Sequence, residues 1–314
     1  MNNLIWIVGA GNIAIEYAKI LKALGRDFIV IGRGEASAVK FREATGIEPI
    51  LGGLEKYLMT TPELPQKAIN CVRASDLGKT NICLSNYGVK CILSEKPGFL
   101  PEEVEAVRNT VMKNGTTIYI AYNRRFYASV FAAEKIIKED GGLLSFNFEF
   151  TEWAHVIEAS TSIPEIEKNN LFITNSTHVV DLAFFLGGEP KEMVCFQEGS
   201  VGWHTPSSFV GSGITDKGAL FSYLANWNAP GRWAVELLTA KHRIYLKPME
   251  QLQLQDKGSV KVYPLDIDDR LDREFKPGFY LETKAFLEED DTRLCTIEQQ
   301  AQRVDTIYRK IIGR

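Results

Sequence analysis

The chain has 314 residues, 45% of them apolar and 24% charged, the usage of a soluble globular protein long enough for two domains. Thirty-six basic and forty acidic side chains leave a net charge of -4, with no bulk electrostatic case for a nucleic-acid or membrane partner. The apolar runs fit no membrane helix and Met1-Asn2-Asn3-Leu4 no secretory leader, and the five cysteines fit neither a disulfide scaffold nor a metal module, so a cytoplasmic, metal-free protein is expected.

From residue 4 to residue 121 short apolar runs of β type alternate with helical patterns. Strands are predicted at 4–8, 28–31, 49–51, 68–72, 91–94 and 117–121. The helices between them include 13–24, stopped by Gly25, and 36–44, stopped by Gly46. The one before the last strand opens at Pro101-Glu102-Glu103, with proline at the first helical position and acids in the first turn. Strands that alternate with helices pair in parallel beneath helices on both faces, and such strands read as continuous apolar runs. A doubly wound α/β domain of Rossmann type is therefore predicted over residues 1–122.

After Tyr122 the character changes. A helix at 130–138 ends at Gly141-Gly142, and strand-like segments follow at 144–153, 193–197, 219–227, 234–239, 243–247 and 252–255. Helices at 175–186 and 297–312 interrupt and close this series. Hairpin-length gaps between so many strands predict an α+β domain over 123–314 with a largely antiparallel, open-faced sheet. A sheet of that kind often packs its free face on another subunit.

Gly9-Ala10-Gly11-Asn12-Ile13-Ala14 lies directly between the first strand and the first helix. Gly9 suits the tight turn, Gly11 lets the backbone approach a pyrophosphate, and Ala14 lets helix and strand pack closely. The helix N-terminus offers its N–H groups to the anion. In that place the pattern predicts dinucleotide binding through Gly9, Gly11, Asn12 and Ile13. An NAD enzyme usually carries a carboxylate for the ribose 2′-hydroxyl at the end of the second strand. This chain has Gly32-Arg33-Gly34-Glu35 there. Arg33 forking onto a 2′-phosphate favours NADP, whereas Glu35 reaching back to the ribose would leave NAD. Ala74, Ser75, Glu95 and Lys96 complete the expected cofactor contacts.

Ser94-Glu95-Lys96-Pro97 ends the fifth predicted strand, at the edge where ligands of open α/β sheets gather. Pro97 keeps Lys96 out of the helical region, and an ammonium there can polarise a substrate oxygen and help position a nicotinamide. The tripeptide alone reads as a loop with an exposed lysine. It is followed, in order, by Tyr122-Asn123-Arg124-Arg125-Phe126, Asn175-Ser176-Thr177-His178-Val179-Val180-Asp181-Leu182 and Lys276-Pro277-Gly278-Phe279-Tyr280. With the glycine turn, this ordered set resembles the Gfo/Idh/MocA family, the glucose–fructose oxidoreductases, inositol dehydrogenases and their relatives, over essentially the whole chain.

The resemblance implies a Rossmann domain followed by an α/β domain whose open-faced sheet builds homodimers or homotetramers. It implies hydride transfer between NADP or NAD and a hydroxyl- or carbonyl-bearing carbon of a sugar, nucleotide-sugar or polyol. Residue by residue, it places Lys96 at the catalytic lysine and His178 at the general acid/base, a task that suits an imidazole of ordinary pKa about 6.5. Many members carry Asp four residues before that histidine, on the same helical face. Here that position is Thr174, and Ser176 stands where a glycine is often found. Thr174 or Asn175 is left to orient His178, and Asn123, Arg124, Thr174 and Asn175 are expected to contact substrate.

The remaining polar candidates keep two readings each. Arg124 and Arg125 either clamp a phosphate or carboxylate of the substrate or pair with acids between domains. His155, near Trp153, is a packing residue or a substrate contact, while His204 and His242 read as packing or surface residues. Asp181 caps or orients. The segment 227–233 is a hairpin by its turn chemistry, or lines the sugar site or a subunit interface. The rival function is a non-catalytic NAD(P)-binding regulator, for which the missing Asp leaves room and against which Lys96 and His178 argue. A third reading is an enzyme that oxidises and re-reduces its substrate with tightly held cofactor.

Overall fold

In the computed structural model, which describes residues 3–313, the chain crosses three times between two units. Met1 and Asn2, part of the segment read for a leader, lie outside the described residues. One unit is Met1–Asn123 with Glu274–Gln302, and the other is Arg124–Arg273 with Arg303–Arg314. The first crossing falls between Asn123 and Arg124. The second unit does not run unbroken from 123 to 314, however, because 274–302 returns to complete the first sheet.

The first unit opens with β1 (Ile5–Val8), α1 (Asn12–Ala23), β2 (Phe28–Ile31), α2 (Glu35–Thr45), α3 (Gly53–Leu58) and β3 (Lys67–Asn70). It continues through α4 (Leu77–Tyr87), β4 (Cys91–Glu95), α5 (Val104–Asn114) and β5 (Thr117–Ala121). These strands pair in parallel in the order β5-β4-β3-β1-β2. Every residue of β1 and β3 is buried, as strands covered by helices on both faces require. The strand expected at 49–51 is reduced to a single parallel bridge between Ile31 and Ile50. Gly52 and Gly53, at φ 103° and 82°, turn the chain away from the sheet and start α3.

The second unit contains a 3₁₀ turn (Asn123–Phe126), α6 (Ala128–Glu139), β6 (Ser145–Glu149), α7 (Ala154–Ala159) and α8 (Glu165–Asn169). A π-helical turn (Phe172–Ser176) then runs into α9 (Thr177–Gly187). Strands follow as β7 (Pro190–Glu198), β8 (Ser208–Thr215), β9 (Leu220–Asn226), β10 (Ala234–Leu238), β11 (His242–Leu246), β12 (Gln253–Asp256) and β13 (Val262–Pro264), then α10 (Arg270–Glu274). The return to the first unit brings α11 (Phe279–Glu288), β14 (Cys295–Thr296) and α12 (Ile297–Arg303). A second π turn (Val304–Tyr308) and α13 (Arg309–Ile312) close the chain, so the helix expected at 297–312 is bulged in its middle. β14 pairs antiparallel with β5, Cys295 opposite Ile120.

The second sheet has the order β13-β12-β11-β10-β6-β9-β8-β7 and is antiparallel except where β6 lies beside β9. Its strands alternate, so side chains sort by face. Phe146 and Phe148 of β6 and Phe221 of β9 lie under Phe184 of α9, at ring-centroid distances of 6.0, 5.6 and 5.1 Å. Each such ring removed from water contributes about 1.5–3 kcal/mol, so this cluster fixes α9 to the sheet. The opposite face is open: Phe196, Val210 and Leu224 stand directly across β7, β8 and β9 from one another, each more than half exposed.

Candidate functional site

In the first unit the turn after β1 meets the loop after β3, at the carboxyl ends of two neighbouring strands where the sheet order reverses. Gly9 has φ 116°, and a Cβ on it would lie 2.7 Å from the Cys71 carbonyl oxygen, so no other residue fits. Gly11 is the reverse case, since a Cβ there would have no atom within 4 Å. Gly11 is the N-cap of α1 and no side chain caps the first-turn N–H groups, so Asn12 and Ile13 open the helix beneath a bare cradle. Ala14 is fully buried. Open space over a helix N-terminus, with a glycine on the approach, fits a pyrophosphate. A Gly9→Ala variant is expected to weaken nicotinamide-dinucleotide binding roughly tenfold or more in a fluorescence titration.

Arg33 lies just past β2 and is exposed; its guanidinium reaches the Asp76 carboxylate at 3.3 Å. Asp76 belongs to the 3₁₀ turn Ala74–Asp76 that follows β3, so this pair brings Arg33 together with Ala74 and Ser75. An exposed pair of this kind contributes little to stability and exchanges readily for a stronger anion. Glu35, the other ribose candidate, is the first residue of α2 and is exposed.

At the end of β4 the Glu95-Lys96-Pro97 corner is tied from several directions. The Tyr17 hydroxyl donates to Glu95 Oε1 at 2.8 Å. Burial pushes the Glu95 carboxyl above its ordinary range, opposed by the Tyr17 hydrogen bond and by the positive charges of Lys276 and Lys96. Burial likewise raises the Tyr17 phenol, and the Glu95 charge raises it further. The Pro97 carbonyl accepts from Gln300 Nε2 at 3.1 Å, and Tyr122 Oη donates to Gln300 Oε1 at 3.0 Å. Asn81 Nδ2 bonds both Ser94 Oγ and the Gly98 carbonyl at 2.9 Å. Lys96 thus stands on a backbone held on both sides. Asn123, expected on substrate, is buried and donates from Nδ2 to the Pro277 carbonyl at 2.9 Å, which holds the Lys276-Pro277-Gly278 turn.

In the second unit His178 is the second residue of α9 and is 8% exposed. Its ring lies 6.0 Å from that of Trp233. Trp233 carries the guanidinium of Arg124 at 4.9 Å and that of Arg232 at 4.6 Å, and Arg232 also lies 4.9 Å from the Trp153 ring. Such cation–π contacts hold planar groups in register. Beneath this stack is a carboxylate that the sequence does not single out. Glu152 is 1% exposed and accepts hydrogen bonds from Asn175 Nδ2, Ser176 Oγ, Arg232 Nη1 and Trp233 Nε1 at 2.7–3.2 Å. Asn175 is therefore turned to Glu152. Thr174 Oγ1 bonds the Asn170 and Glu167 carbonyls at 3.1 and 3.2 Å. The four-residue spacing that would set position 174 on the face of His178 assumes α-helical geometry, and the π turn breaks it.

Arg125 pairs with an acid, Asp181, inside the second unit rather than between domains. Asp181 is 1% exposed and takes Arg125 Nε at 2.9 Å and Nη2 at 2.5 Å, with Arg303 Nη1 on the same carboxylate and Arg303 also on Glu189. His204 packs its ring 4.8 Å from Trp227, and His242 Nδ1 lies 2.6 Å from Asp140. His155 lines a cavity with Trp153. Among the described residues no group of three or more His, Cys, Asp or Glu is placed to hold a metal, and no helix is long and apolar enough to cross a membrane.

A doubly wound sheet with a glycine cradle at its switch point, joined to an open-faced mixed sheet, defines a two-domain dinucleotide-binding fold. Residues 5–45, from β1 through α2, match the family described as pyridine nucleotide-disulphide oxidoreductase. No curated protein matches the sequence. Solved structures share the fold almost end to end. An oxidoreductase from Agrobacterium radiobacter, in complex with NAD+, L-tartaric acid and magnesium, has TM-score 0.76 and 12% identity over 100% of this chain and 98% of its own. The WlbA dehydrogenase from Chromobacterium violaceum, in complex with NADH and UDP-GlcNAcA, has TM-score 0.73 and 15% identity over 99% and 94%. A levoglucosan dehydrogenase in complex with NADH and levoglucosan has TM-score 0.74 and 17% identity over 100% and 98%. The fold implied by the resemblance to the Gfo/Idh/MocA family is the fold this chain has.

Proposed function

We propose that the protein is an oxidoreductase, using NADP in preference to NAD, that interconverts CH–OH and C=O on a sugar, nucleotide-sugar or polyol. The observation that carries this reading is the pairing, in one unit, of the glycine cradle after β1 with the braced Glu95-Lys96-Pro97 corner after β4. Gly9, Gly11, Asn12 and Ile13 hold the pyrophosphate, Arg33 the 2′-phosphate, and Ala74, Ser75, Glu95 and Lys96 make the further cofactor contacts. The bound nicotinamide supplies the redox chemistry; the protein supplies position and charge. Lys96 donates a hydrogen bond to the substrate oxygen. His178 takes the hydroxyl proton in oxidation and returns it in reduction. Arg124, with the side-chain carbonyls of Asn123 and Asn175, faces substrate, and Thr174 contributes by shaping the turn before His178. The open apolar row Phe196, Val210 and Leu224, flanked by exposed Val194 and Leu220, supports a homodimer or homotetramer. Five free cysteines fit the cytoplasm.

Titration of intrinsic fluorescence with NADPH and separately with NADH tests the cofactor half. NADPH is expected to bind more tightly, and Arg33→Ala to erase a preference of roughly 10- to 100-fold, the scale of charge-assisted hydrogen bonds. Preference for NADH overturns the choice of cofactor. Binding with no turnover over a panel of sugars and polyols turns the reading to the regulator.

A further inference from the structure

The second unit holds a cavity of about 660 Å3 between α7 and the turns at 200–202 and 227–230. That volume falls in the roughly 300–1,000 Å3 range of small-molecule sites. Its walls are two indoles, Trp153 and Trp227, with Glu152, His155 and Glu158 and the Asn228 side of the second turn. The walls are built rather than incidental. Trp153 donates from Nε1 to the Gly231 carbonyl at 3.1 Å and stacks with Arg232, so this half-exposed ring is held in place. Trp227 is buried against Trp203 and His204, at 5.8 and 4.8 Å between rings. Glu158 lies over Gly202, where a Cβ would come 2.8 Å from Oε1, so the absent side chain leaves room for that carboxylate.

The chemistry of this lining is selective. No lysine or arginine is among the residues that line the cavity, and two carboxylates are. Glu152 is already surrounded by donors, and the cation among them, Arg232, is engaged with its carboxylate at 3.0 Å and with the faces of Trp153 and Trp233. Indole faces carry negative charge and attract the weakly positive C–H face of a saturated ring. Carboxylate, imidazole and amide groups beside them accept from hydroxyls. We propose that this cavity is a recognition subsite for an uncharged, hydroxyl-rich ring, a glycosyl unit without phosphate or carboxylate, stacked on Trp153 and hydrogen-bonded by Glu158. The reaction on that ring rests on the oxidoreductase reading above; the binding does not.

The test is 19F NMR of the full chain labelled with 5-fluorotryptophan, without nicotinamide. Five tryptophans give five signals, assigned by single Trp→Phe variants, with Trp6 in the first unit as the internal control. The probes are the methyl glycosides of glucose, galactose, mannose and xylose, N-acetylglucosamine, and UDP-glucose as the anionic counterpart. Neutral glycosides are expected to move the Trp153 and Trp227 signals and leave Trp6 still. Glu158→Gln and Gly202→Ala, which spare the indoles, are expected to weaken that response by about tenfold, the loss of one charge-assisted hydrogen bond. Silence of both signals across the neutral panel overturns the proposal, as does a response to UDP-glucose alone. Neutral binding without turnover by NADPH or NADH keeps the subsite and removes the oxidoreductase reading. Cofactor binding and turnover with silent Trp153 and Trp227 signals do the opposite.

Discussion

His178→Ala is expected to lower turnover by roughly 10²- to 10⁴-fold, the usual share of a general acid/base, while the NADPH titration stays unchanged. The split follows from where the residue stands. His178 belongs to α9 of the second unit, whereas the glycine cradle, Arg33 and the 3₁₀ turn after β3 belong to the first. The imidazole has little freedom to be rescued by a neighbour. Trp233 packs on it, Glu152 holds the Trp233 indole at 3.2 Å, and the same carboxylate takes Ser176 two residues before the histidine at 2.7 Å. Glu152, from a different element, thus fixes both Ser176 and the Trp233 ring that packs on His178. Lys96→Ala is expected to lower turnover on the same scale, because a polarising donor and a proton acceptor act in one step. Wild-type-like turnover in both variants, on any substrate the protein is shown to turn over, would remove the catalytic assignment.

What the sequence discloses and what it conceals divide along a physical line. The glycine turn and the buried runs of β1 and β3 are legible because their cause is local. So is β9, whose burial alternates residue by residue. β8 is missed because Gly211 and Gly213 weaken any strand signal, yet the sheet requires them. A Cβ on Gly211 would come 2.5 Å from the Tyr223 ring, and one on Gly213 would overlap the Glu192 carbonyl. The return of 274–302 to the first unit is hidden for another reason. Two residues, Cys295 and Thr296, carry the pairing with β5, too few to show a period. Gln300, which steadies the Pro97 carbonyl, travels with that return.

The site divides in the same way. Gly9, Arg33 and Lys96 announce themselves by type and by place after a strand. Glu152 does not, because it sits in a run whose apolar content predicts a strand through 153, while β6 ends at Glu149. Its donors come from Asn175, Ser176, Arg232 and Trp233, contacts that no spacing rule encodes. The π turn before α9 is equally silent in sequence, and it decides which way Thr174 points.

Asp181→Ala is expected to destabilise the second unit by about 3–5 kcal/mol, the cost of stripping one partner from a buried ion pair. Asp181 and its two guanidinium partners are almost wholly buried, and Arg303 shares its charge with Glu189. The four groups balance as two positive and two negative. Removing Asp181 leaves one net positive charge, with the Phe185 ring 4.9 Å from Arg125 as a poor substitute. The double variant Asp181→Leu with Arg125→Met removes one charge of each sign and leaves Arg303 with Glu189. It is expected to regain most of the loss in a denaturant melt, as apolar replacements of buried ion pairs commonly do. Equal destabilisation in the single and double variants would show that packing at α9, not uncompensated charge, sets the cost. The position gives the cluster its meaning for function. Arg125 and Arg303 stand where the chain enters the second unit for the first and second time, and both close on α9 one turn beyond His178. The charge that stabilises the unit therefore also holds the helix that carries the proposed acid/base. A partial loss of stability in Asp181→Asn should be accompanied by a fall in kcat that Arg125→Lys, which keeps a charge at the crossing, reproduces only in part.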